Sequence, residues 1–371
     1  MPPNTTARNE SLFMAMELSN KNWKLAFSNG EKLRHINVVA GDQKGLRMAI
    51  ERSKEKLGLA PDCPVYSCYE AGRDGFWIHR YLIGMNIRNL VVDPASIEVN
   101  RRRRHVKTDR IDAEKLARML MRYILHNEKT VWRVVVVPTE AQEDERRVHR
   151  ESERLKRERG SHLNRIRSLL VLHGVRARKI GGTDNSTTKD WQGKPLSPAL
   201  QEEIRREQLR LELLDQQVKS LDAEQRKMVK HPTTVTEQKA AKLAKLKGIG
   251  ALGSSVLARE VFGWRTFKNR REVGSMAGLT GTAYASGDKT VEQGISKAGN
   301  KRVRYTMIEM AWMWTWYQPN SELTKWFMQR FGSGGKRSRR VGIVALARKL
   351  LVALWKYVEF DEVPAGAIIA T

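Results

Sequence analysis

Residues 12–39, LFMAMELSNKNWKLAFSNGEKLRHINVV, contain three short apolar runs separated by polar turns. The first run alternates loosely, so that Phe13, Ala15 and Glu17 fall on one face of a predicted strand. The intervening NKN and SNGEK segments are short enough to join neighbouring antiparallel strands. This stretch therefore predicts a three-stranded antiparallel meander.

Helices and strands alternate after the meander. Residues 41–58 predict a helix that ends at Gly58, and residues 64–72 predict a buried strand that stops near Glu70. The order β-β-β-α-β-α-β-α indicates an α/β sheet covered by helices, and in the ribonuclease-H topology its first and fourth strands are neighbours. The remaining predicted elements are a helix over 74–86, a strand over 89–94 and a helix over 108–125.

The character of the chain changes near Pro138. Residues 140–172 predict a long helix dense in charge, and residues 199–231 predict a second one after a polar break. The second helix approximates a heptad seam, which favours an antiparallel hairpin or coiled-coil arm. By itself, such an arm is more often a spacer or dimer handle than a site of chemistry. The seam positions are Leu200, Ile204, Leu211, Leu214, Val218 and Leu221.

The last third predicts a mostly α-helical domain. Residues 242–261 combine two helices with a glycine turn, which resembles a helix-hairpin-helix element that offers backbone N–H groups to DNA phosphate. Residues 280–302 are interpreted as a loop, and the closing helix over 342–360 as a buried one. In the aromatic helix between them, Trp312 and Trp316 share a face, which favours core packing over base stacking.

The composition indicates a nucleic-acid partner. The 371 residues carry a net charge of +27, which in a soluble chain calls for a polyanion. An anionic membrane is the weaker alternative, because no run of about 18 apolar residues and no lysine-rich amphipathic helix stands out. Two cysteines make neither a disulfide framework nor a zinc pattern. A cytoplasmic, nucleoid-associated protein without a membrane partner is expected.

Four carboxylates occupy places that suit metal binding: Glu17, Glu70, Asp109 and Asp112. The two aspartates lie three apart and share a helix face. Converging carboxylates need a compensating cation, and Mg²⁺ or Mn²⁺ suits hard oxygen ligands. The simpler interpretation is that the aspartates are first-turn acids favoured by the helix dipole.

A second constellation surrounds Ser286. A serine hydroxyl needs help to act as a nucleophile, and this glycine-rich segment is strongly basic. From the residues alone, a loop that grips phosphate is the preferred interpretation, and the basic run at 101–107 is expected to contact nucleic-acid backbone too. The basic residues are Lys289, Lys297, Lys301, Arg302 and Arg304, with Arg101, Arg102, Arg103, Arg104 and Lys107 upstream.

Three motifs resemble a known family. They are YEAG at 69–72, KTDRIDAEKLA at 107–117 and GLTGTAYASGDKTVEQGISKAGNKRVR at 278–304. Together they resemble the DEDD transposases of insertion sequences, the IS-one-ten family. The resemblance implies a RuvC-like, ribonuclease-H domain over residues 1–138, a coiled-coil arm over 139–235 and a C-terminal serine transposase domain over 236–371.

The resemblance also implies a chemistry. The four acids would hold Mg²⁺ or Mn²⁺, and Ser286 would attack DNA to form a phosphoserine link. Glu17 departs from the family pattern, which usually has Asp there. Because the acids and Ser286 are far apart in sequence, they would meet through domain packing or between subunits.

The partners implied are target DNA, donor DNA and a structured noncoding bridge RNA that guides recombination. The arm would assemble a homodimer and then a tetramer. Two alternatives remain open on the sequence: a metal-dependent nuclease of the Holliday-junction type in which water attacks, and an inert nucleic-acid-binding scaffold.

Overall fold

The computed structural model describes residues 10–97, 109–176, 188–286 and 289–370, without the side chains of residues 109–111, 283–286 and 289–293. The chain divides into two compact units, Met1–Val137 and Pro138–Thr371. Of the helices in the described ranges, none combines the length and apolar character needed to cross a bilayer.

The predicted meander is confirmed. Strands β1 (Leu12–Glu17), β2 (Asn22–Ser28) and β3 (Leu33–Val39) pair antiparallel in chain order. Asn29 closes the second turn with its side-chain oxygen, which accepts from the backbone N–H groups of Glu31 and Lys32. An Asx turn of this kind explains why the SNGEK segment reverses the chain so tightly.

Two parallel strands extend the sheet beyond β1. They are β4 (Val65–Glu70) and β5 (Arg88–Val92), and the full order is β3-β2-β1-β4-β5. The predicted alternation of strands and helices, and the adjacency of the first and fourth strands, are confirmed. Helix α1 (Gln43–Lys56) connects β3 to β4, and helix α2 (Trp77–Gly84) connects the parallel strands β4 and β5.

The helices cover both faces of the sheet. One face, which includes Met14 and Met16, forms a core with the apolar sides of α1 and α2. The other face, which includes Ala15 and Cys68, is covered by helix α3 (Asp109–Leu125) through Ala113, Leu116, Ala117 and Leu120. Alternate residues of β1 therefore face different helices, as the pleat of a strand requires.

The second unit begins with a pair of long helices. A short helix α4 (Glu140–Glu145) precedes α5 (Arg147–Val171), so the single helix expected from residue 140 is broken at Arg146. Helix α6 (Pro198–Lys230) runs antiparallel to α5, because Lys156 pairs with Asp222 whereas Arg165 pairs with Glu207. The seam is apolar only toward the start of α6, and its middle is bridged by ion pairs.

The rest of the unit forms one helical core. Helix α7 (Val235–Ala244) and helix α8 (Ala251–Leu257) are joined by the expected glycine turn, in which Gly248 has φ +90°. A wide π-helical turn, Ala258–Phe262, follows α8. The remaining elements are α9 (Arg270–Met276), β6 (Gly281–Ser286), β7 (Lys289–Ile295), α10 (Lys301–Tyr317), α11 (Glu322–Phe327) and α12 (Lys336–Phe360).

Helix α12 lies at the centre of this core, as expected for the closing helix. Leu346, Ala347, Leu350 and Leu354 are all buried, and Trp314 of α10 joins the same cluster. The expectation that Trp312 and Trp316 fill the core is wrong for Trp316, which is 74% exposed, and holds only in part for Trp312, which is 37% exposed and contacts Phe327; Trp314 is 0% exposed. Helix α10 turns its Trp314 side inward, and the Trp314 indole N–H donates to Ser321 Oγ at 2.8 Å.

Candidate functional site

Glu17 and Glu70 lie side by side at the edge of the sheet. The last paired residues of β1 and β4 are Met16 and Tyr69, and the two glutamates come next on adjacent parallel strands. By strand alternation, both project to the face that α3 covers. They line one cavity of about 370 Å³, together with Arg73 and Asp74. The structure therefore brings two of the four predicted acids together.

The wall of this cavity is fixed by hydrogen bonds. The Tyr69 hydroxyl donates to the Gly75 carbonyl at 3.1 Å, which ties down the segment that follows Glu70. Below it, burial and the nearby charge of Glu70 raise the pKa of the Cys68 thiol. Cys68 is thus a neutral core residue, and its sulfur lies 3.8 Å from the Leu116 carbonyl.

The aspartates belong to the first turn of α3. Helix α3 begins at Asp109, whose side chain lies outside the described part of the structure, and Asp112 is half-buried. Leu116, one turn further on, lies against Cys68, two residues before Glu70. Asp112 therefore lies on the helix that covers the sheet face to which Glu17 and Glu70 project.

The described side chains do not by themselves complete a metal centre. Among them, no three His, Cys, Asp or Glu groups converge as ligands of one ion. Glu17 and Glu70 nevertheless supply the hard oxygen donors that Mg²⁺ or Mn²⁺ prefers, at an edge open enough for phosphate. The basic run Arg101–Arg104 and Lys107 lies outside the described residues.

Ser286 lies at the end of β6, in a β-hairpin and not in the loop that the sequence suggested. Strands β6 and β7 pair antiparallel, and Ser286 stands opposite Lys289 across the tip. The side chains of both residues, and residue Gly287, lie outside the described part. The missed signal is the Gly287–Asp288 pair between runs rich in Thr, Val and Tyr, which is typical of a two-residue hairpin turn.

The basic residues after the hairpin divide into two kinds. Lys297 and Lys301 are exposed. Arg302 donates from Nε to Glu153 at 2.6 Å, and Arg304 donates from Nη1 to the carbonyls of Ala277 and Lys297 at 3.0 and 3.1 Å. The two arginines therefore bond protein groups, and the two lysines present their charge to solvent.

The structure also contains a buried charged cluster, centred on Glu260, that the sequence did not predict. Glu260, in the wide turn after α8, accepts hydrogen bonds from His149 Nε2 at 2.8 Å and from Arg150 Nε and Nη2 at 2.7 and 3.0 Å. Asn300 Nδ2 donates to the same carboxylate at 2.9 Å. A glutamate inside the apolar run VLAREVF was the one local sign of it.

Hydrogen bonding decides the ionisation of Glu260. Burial on its own raises the pKa of this carboxyl, but the bonds from His149 and Arg150 outweigh burial and hold the pKa far below its usual range. For His149, burial outweighs the attraction of Glu260 and lowers the pKa of the imidazole. At neutral pH the cluster therefore contains a carboxylate, a guanidinium and a neutral imidazole that donates from Nε2.

Comparisons with known proteins agree with the motifs. A model of the transposase IS116/IS110/IS902 family matches residues 240–325, from α7 into α11. A Sinorhizobium fredii protein that carries a transposase name, y4rJ, is 41% identical over 97% of this chain and 95% of its own length. The transposase of insertion sequence element IS1328 from Yersinia enterocolitica is 25% identical over 67% of this chain and 71% of its own length. The similarity to y4rJ spans both units, and this chain therefore belongs to the IS116/IS110/IS902 family of transposases.

Proposed function

We propose that this chain is the recombinase of an insertion sequence, in which a ribonuclease-H-like carboxylate site and Ser286 act on the same DNA phosphate. The observation that carries the proposal is the adjacency of Glu17 and Glu70 at the ends of two parallel strands. The strand order β3-β2-β1-β4-β5 and the position of α3 over the same face support a RuvC-like assignment for residues 1–138.

Glu17, Glu70, Asp109 and Asp112 would hold Mg²⁺ or Mn²⁺. Glu17 and Glu70 follow paired residues on adjacent strands, and carboxylates that converge on one place favour a bound cation. The ion, when bound, supplies positive charge to the phosphate oxygens as charge develops there. Glu17 stands at the end of β1, beside Glu70, so the longer side chain replaces the usual Asp at a position that suits a ligand.

Ser286 would form the covalent intermediate. Its Oγ attacks phosphorus and gives its proton to solvent, the bond from phosphorus to one deoxyribose oxygen breaks, and that oxygen takes up a proton. The phosphoserine diester retains the energy of the broken bond, so rejoining to a second DNA needs no further energy source.

The partners of the proposed reaction are nucleic acids. The net charge of +27 supports binding of target DNA, donor DNA and a structured noncoding guide RNA, with exposed Lys297 and Lys301 among the phosphate contacts. Residues 139–235 would act as a coiled-coil arm that assembles a dimer and then a tetramer. Residues 236–371 would be the serine transposase domain, in a cytoplasmic, nucleoid-associated protein.

A denaturing adduct assay tests the proposed nucleophile. The full chain is incubated with RNA transcribed from the DNA that flanks its gene and with labelled DNA, then denatured. A protein–DNA adduct that Ser286→Ala abolishes and that Ser296→Ala, at the foot of the same hairpin, retains is expected. Nicked DNA without an adduct, unchanged by Ser286→Ala, would support the water-dependent nuclease instead, and no cleavage with intact binding would support the inert scaffold.

Direct titration tests the carboxylates. Mn²⁺ binding followed by calorimetry should weaken about tenfold or more in Glu70→Gln, as expected when a ligand is removed. Asp74→Asn changes another acid of the same cavity wall, outside the four-acid set, and should retain most of the binding. Equal losses in the two variants would contradict the assignment of the set.

A further inference from the structure

The Glu260 carboxylate joins three separate segments of the second unit. His149 and Arg150 belong to the start of α5, Glu260 belongs to the wide turn after α8, and Asn300 precedes α10. Glu260 is 1% exposed. Bonds to a buried charged group are about twice as strong as bonds between neutral groups, so this junction is expected to be rigid.

Asn300 is where the serine hairpin ends and α10 begins. Its side-chain Oδ1 accepts from the backbone N–H groups of Arg302 and Val303, which caps α10. Its own backbone N–H donates to the Met276 carbonyl at 2.8 Å. Asn300 therefore fixes the exit of the hairpin in two ways, through its backbone and through Glu260.

The two feet of the hairpin are also tied to each other. The backbone N–H of Ser296 donates to the Thr280 carbonyl at 2.8 Å, and that of Lys297 to the Gly278 carbonyl at 3.1 Å. At Gly299 the chains approach so closely that a Cβ atom would lie 2.4 Å from the Met276 carbonyl oxygen. An isolated two-stranded hairpin is marginally stable, so the direction in which its tip points depends on these feet.

We infer that Glu260 is a positioning residue for the reaction: through Asn300 it fixes the foot of the hairpin that carries Ser286 against the start of α5. The inference rests on the proposed role of Ser286 as the nucleophile. A displacement of about 1 Å at a reacting group lowers a rate by as much as about 100-fold, so a junction at the hairpin foot is sufficient to control the chemistry.

A second glutamate, on the α5–α6 helix pair, provides a matched control. Glu207 on α6 accepts hydrogen bonds from His162, from Arg165 at 3.1 Å and from Arg210 at 2.6 Å. The chemistry repeats that of Glu260, but these partners belong to α5 and α6 alone. A change at Glu207 perturbs the arm without touching the hairpin foot.

The experiment uses the full chain with its guide RNA and labelled DNA, under single-turnover conditions. Glu260→Gln keeps the shape of the side chain and removes its charge. The rate of adduct formation is expected to fall about 10- to 100-fold, with DNA and RNA affinities within about threefold of those of the unchanged protein. Glu207→Gln should change the rate less than about threefold, since it leaves the hairpin foot intact.

A pair of substitutions separates positioning from folding. Asn300→Ser keeps a capping hydroxyl but is too short to reach Glu260, and should reproduce the loss of rate. The double variant Glu260→Gln/Asn300→Asp exchanges donor and acceptor across the same contact, and should recover part of the rate lost in Glu260→Gln. A merely structural role predicts no such recovery.

The outcomes are distinguishable. If Ser286→Ala abolishes the adduct but Glu260→Gln and Asn300→Ser react within threefold of Glu207→Gln, the positioning role is overturned and the proposed nucleophile stands. If Ser286→Ala leaves the adduct intact, the proposed function itself fails. If Glu260→Gln does not fold, Asn300→Ser decides whether Glu260 positions the hairpin. That variant keeps the Glu260 carboxylate and its bonds to His149 and Arg150.

Discussion

The second unit contains the same ionic arrangement twice, with different consequences. Glu260 and Glu207 each accept from a histidine and an arginine of α5. The His149 side chain is 3% exposed and that of His162 is 21% exposed. The third partner also differs, because Asn300 belongs to a distant segment whereas Arg210 lies on the helix that carries Glu207. One cluster joins separate parts of the fold and the other fastens two helices together.

The largest expected difference is in stability after loss of the carboxylate. Glu260→Ala leaves the buried His149 and the two-fifths exposed Arg150 without their carboxylate, and should lower the free energy of unfolding by roughly 3 kcal/mol. Glu207→Ala should lower it clearly less, because water reaches its partners. Urea unfolding followed by tryptophan fluorescence measures both, with Trp264 as a probe beside the Glu260 cluster through its contact with Arg146. Equal losses would remove the distinction between the two clusters.

A smaller effect is expected when a second carboxylate is placed against Glu260. Asn300→Asp keeps the cap of α10. It replaces the Asn300 Nδ2 atom, which lies 2.9 Å from Glu260 Oε2, with a negatively charged oxygen. A loss of about 1–3 kcal/mol is expected, the range for a buried polar group left without a suitable partner. Asn300→Ser, which caps without the charge, should lose less. Acidification should reduce the difference in unfolding free energy between these two variants. Protonation of either Glu260 or the new aspartate turns one carboxyl into a hydrogen-bond donor to the other.

The dependence of stability on pH should expose the buried histidine. Burial lowers the pKa of His149 from 6.5, against the attraction of Glu260 and with the repulsion of Arg259 and Arg150. The unfolded chain then binds a proton more readily than the folded one, so the contribution of His149 is complete above its ordinary pKa and is lost as pH falls below it. The lowered pKa of Glu260 adds a loss of the same sign only below its ordinary 4.5.

His149→Gln checks this contribution, because glutamine retains a donor for Glu260 and does not titrate. Unfolding free energies of the two proteins are compared between pH 7.5 and pH 5. The unchanged protein should lose stability over this interval, and the variant should show a flatter profile. A steeper profile in the variant would contradict the neutral imidazole.

The smallest effect is expected at the exposed ion pair that lies between the two clusters along α5 and α6. Arg159 and Asp215 pair across α5 and α6, and both side chains are about two-fifths exposed. Exposed pairs contribute roughly 0–1 kcal/mol, so Asp215→Asn should change the free energy of unfolding by less than about 1 kcal/mol. Added salt should reduce that value further, because ions screen an exposed pair. A loss as large as that of Glu207→Ala would show that burial does not explain the different stabilities expected for the Glu260 cluster, the Glu207 cluster and the Arg159–Asp215 pair.

Local patterns in the sequence are sufficient to predict the sheet. The alternation at Phe13, Ala15 and Glu17 places Glu17 correctly on its strand, and the order of elements then makes β1 and β4 neighbours. Because parallel neighbours end at the same edge, the amino-acid sequence alone predicts that Glu17 and Glu70 lie together.

Contacts between distant segments could not be predicted in the same way. Glu260 meets a partner 111 residues away, and no local period reports such a contact. Trp314 and Trp316 differ only in which side of α10 faces α12, and both sides of that helix are apolar in sequence. The hairpin that ends at Ser286 was missed for another reason, since its turn signal is only two residues long.

The wide turn at Ala258–Phe262 requires a fixed number of residues as well as particular side chains. The Gly263 N–H reaches back five residues to the Ala258 carbonyl at 2.7 Å, and all five residues of the turn are buried. Two consecutive charged residues, Arg259 and Glu260, are thereby enclosed together. Successive residues of a helix diverge by about 100°, so deletion of Ala258 or Arg259 would turn the Glu260 side chain away from His149. An alignment gap at this turn would therefore signal a changed junction even where every charged residue is retained.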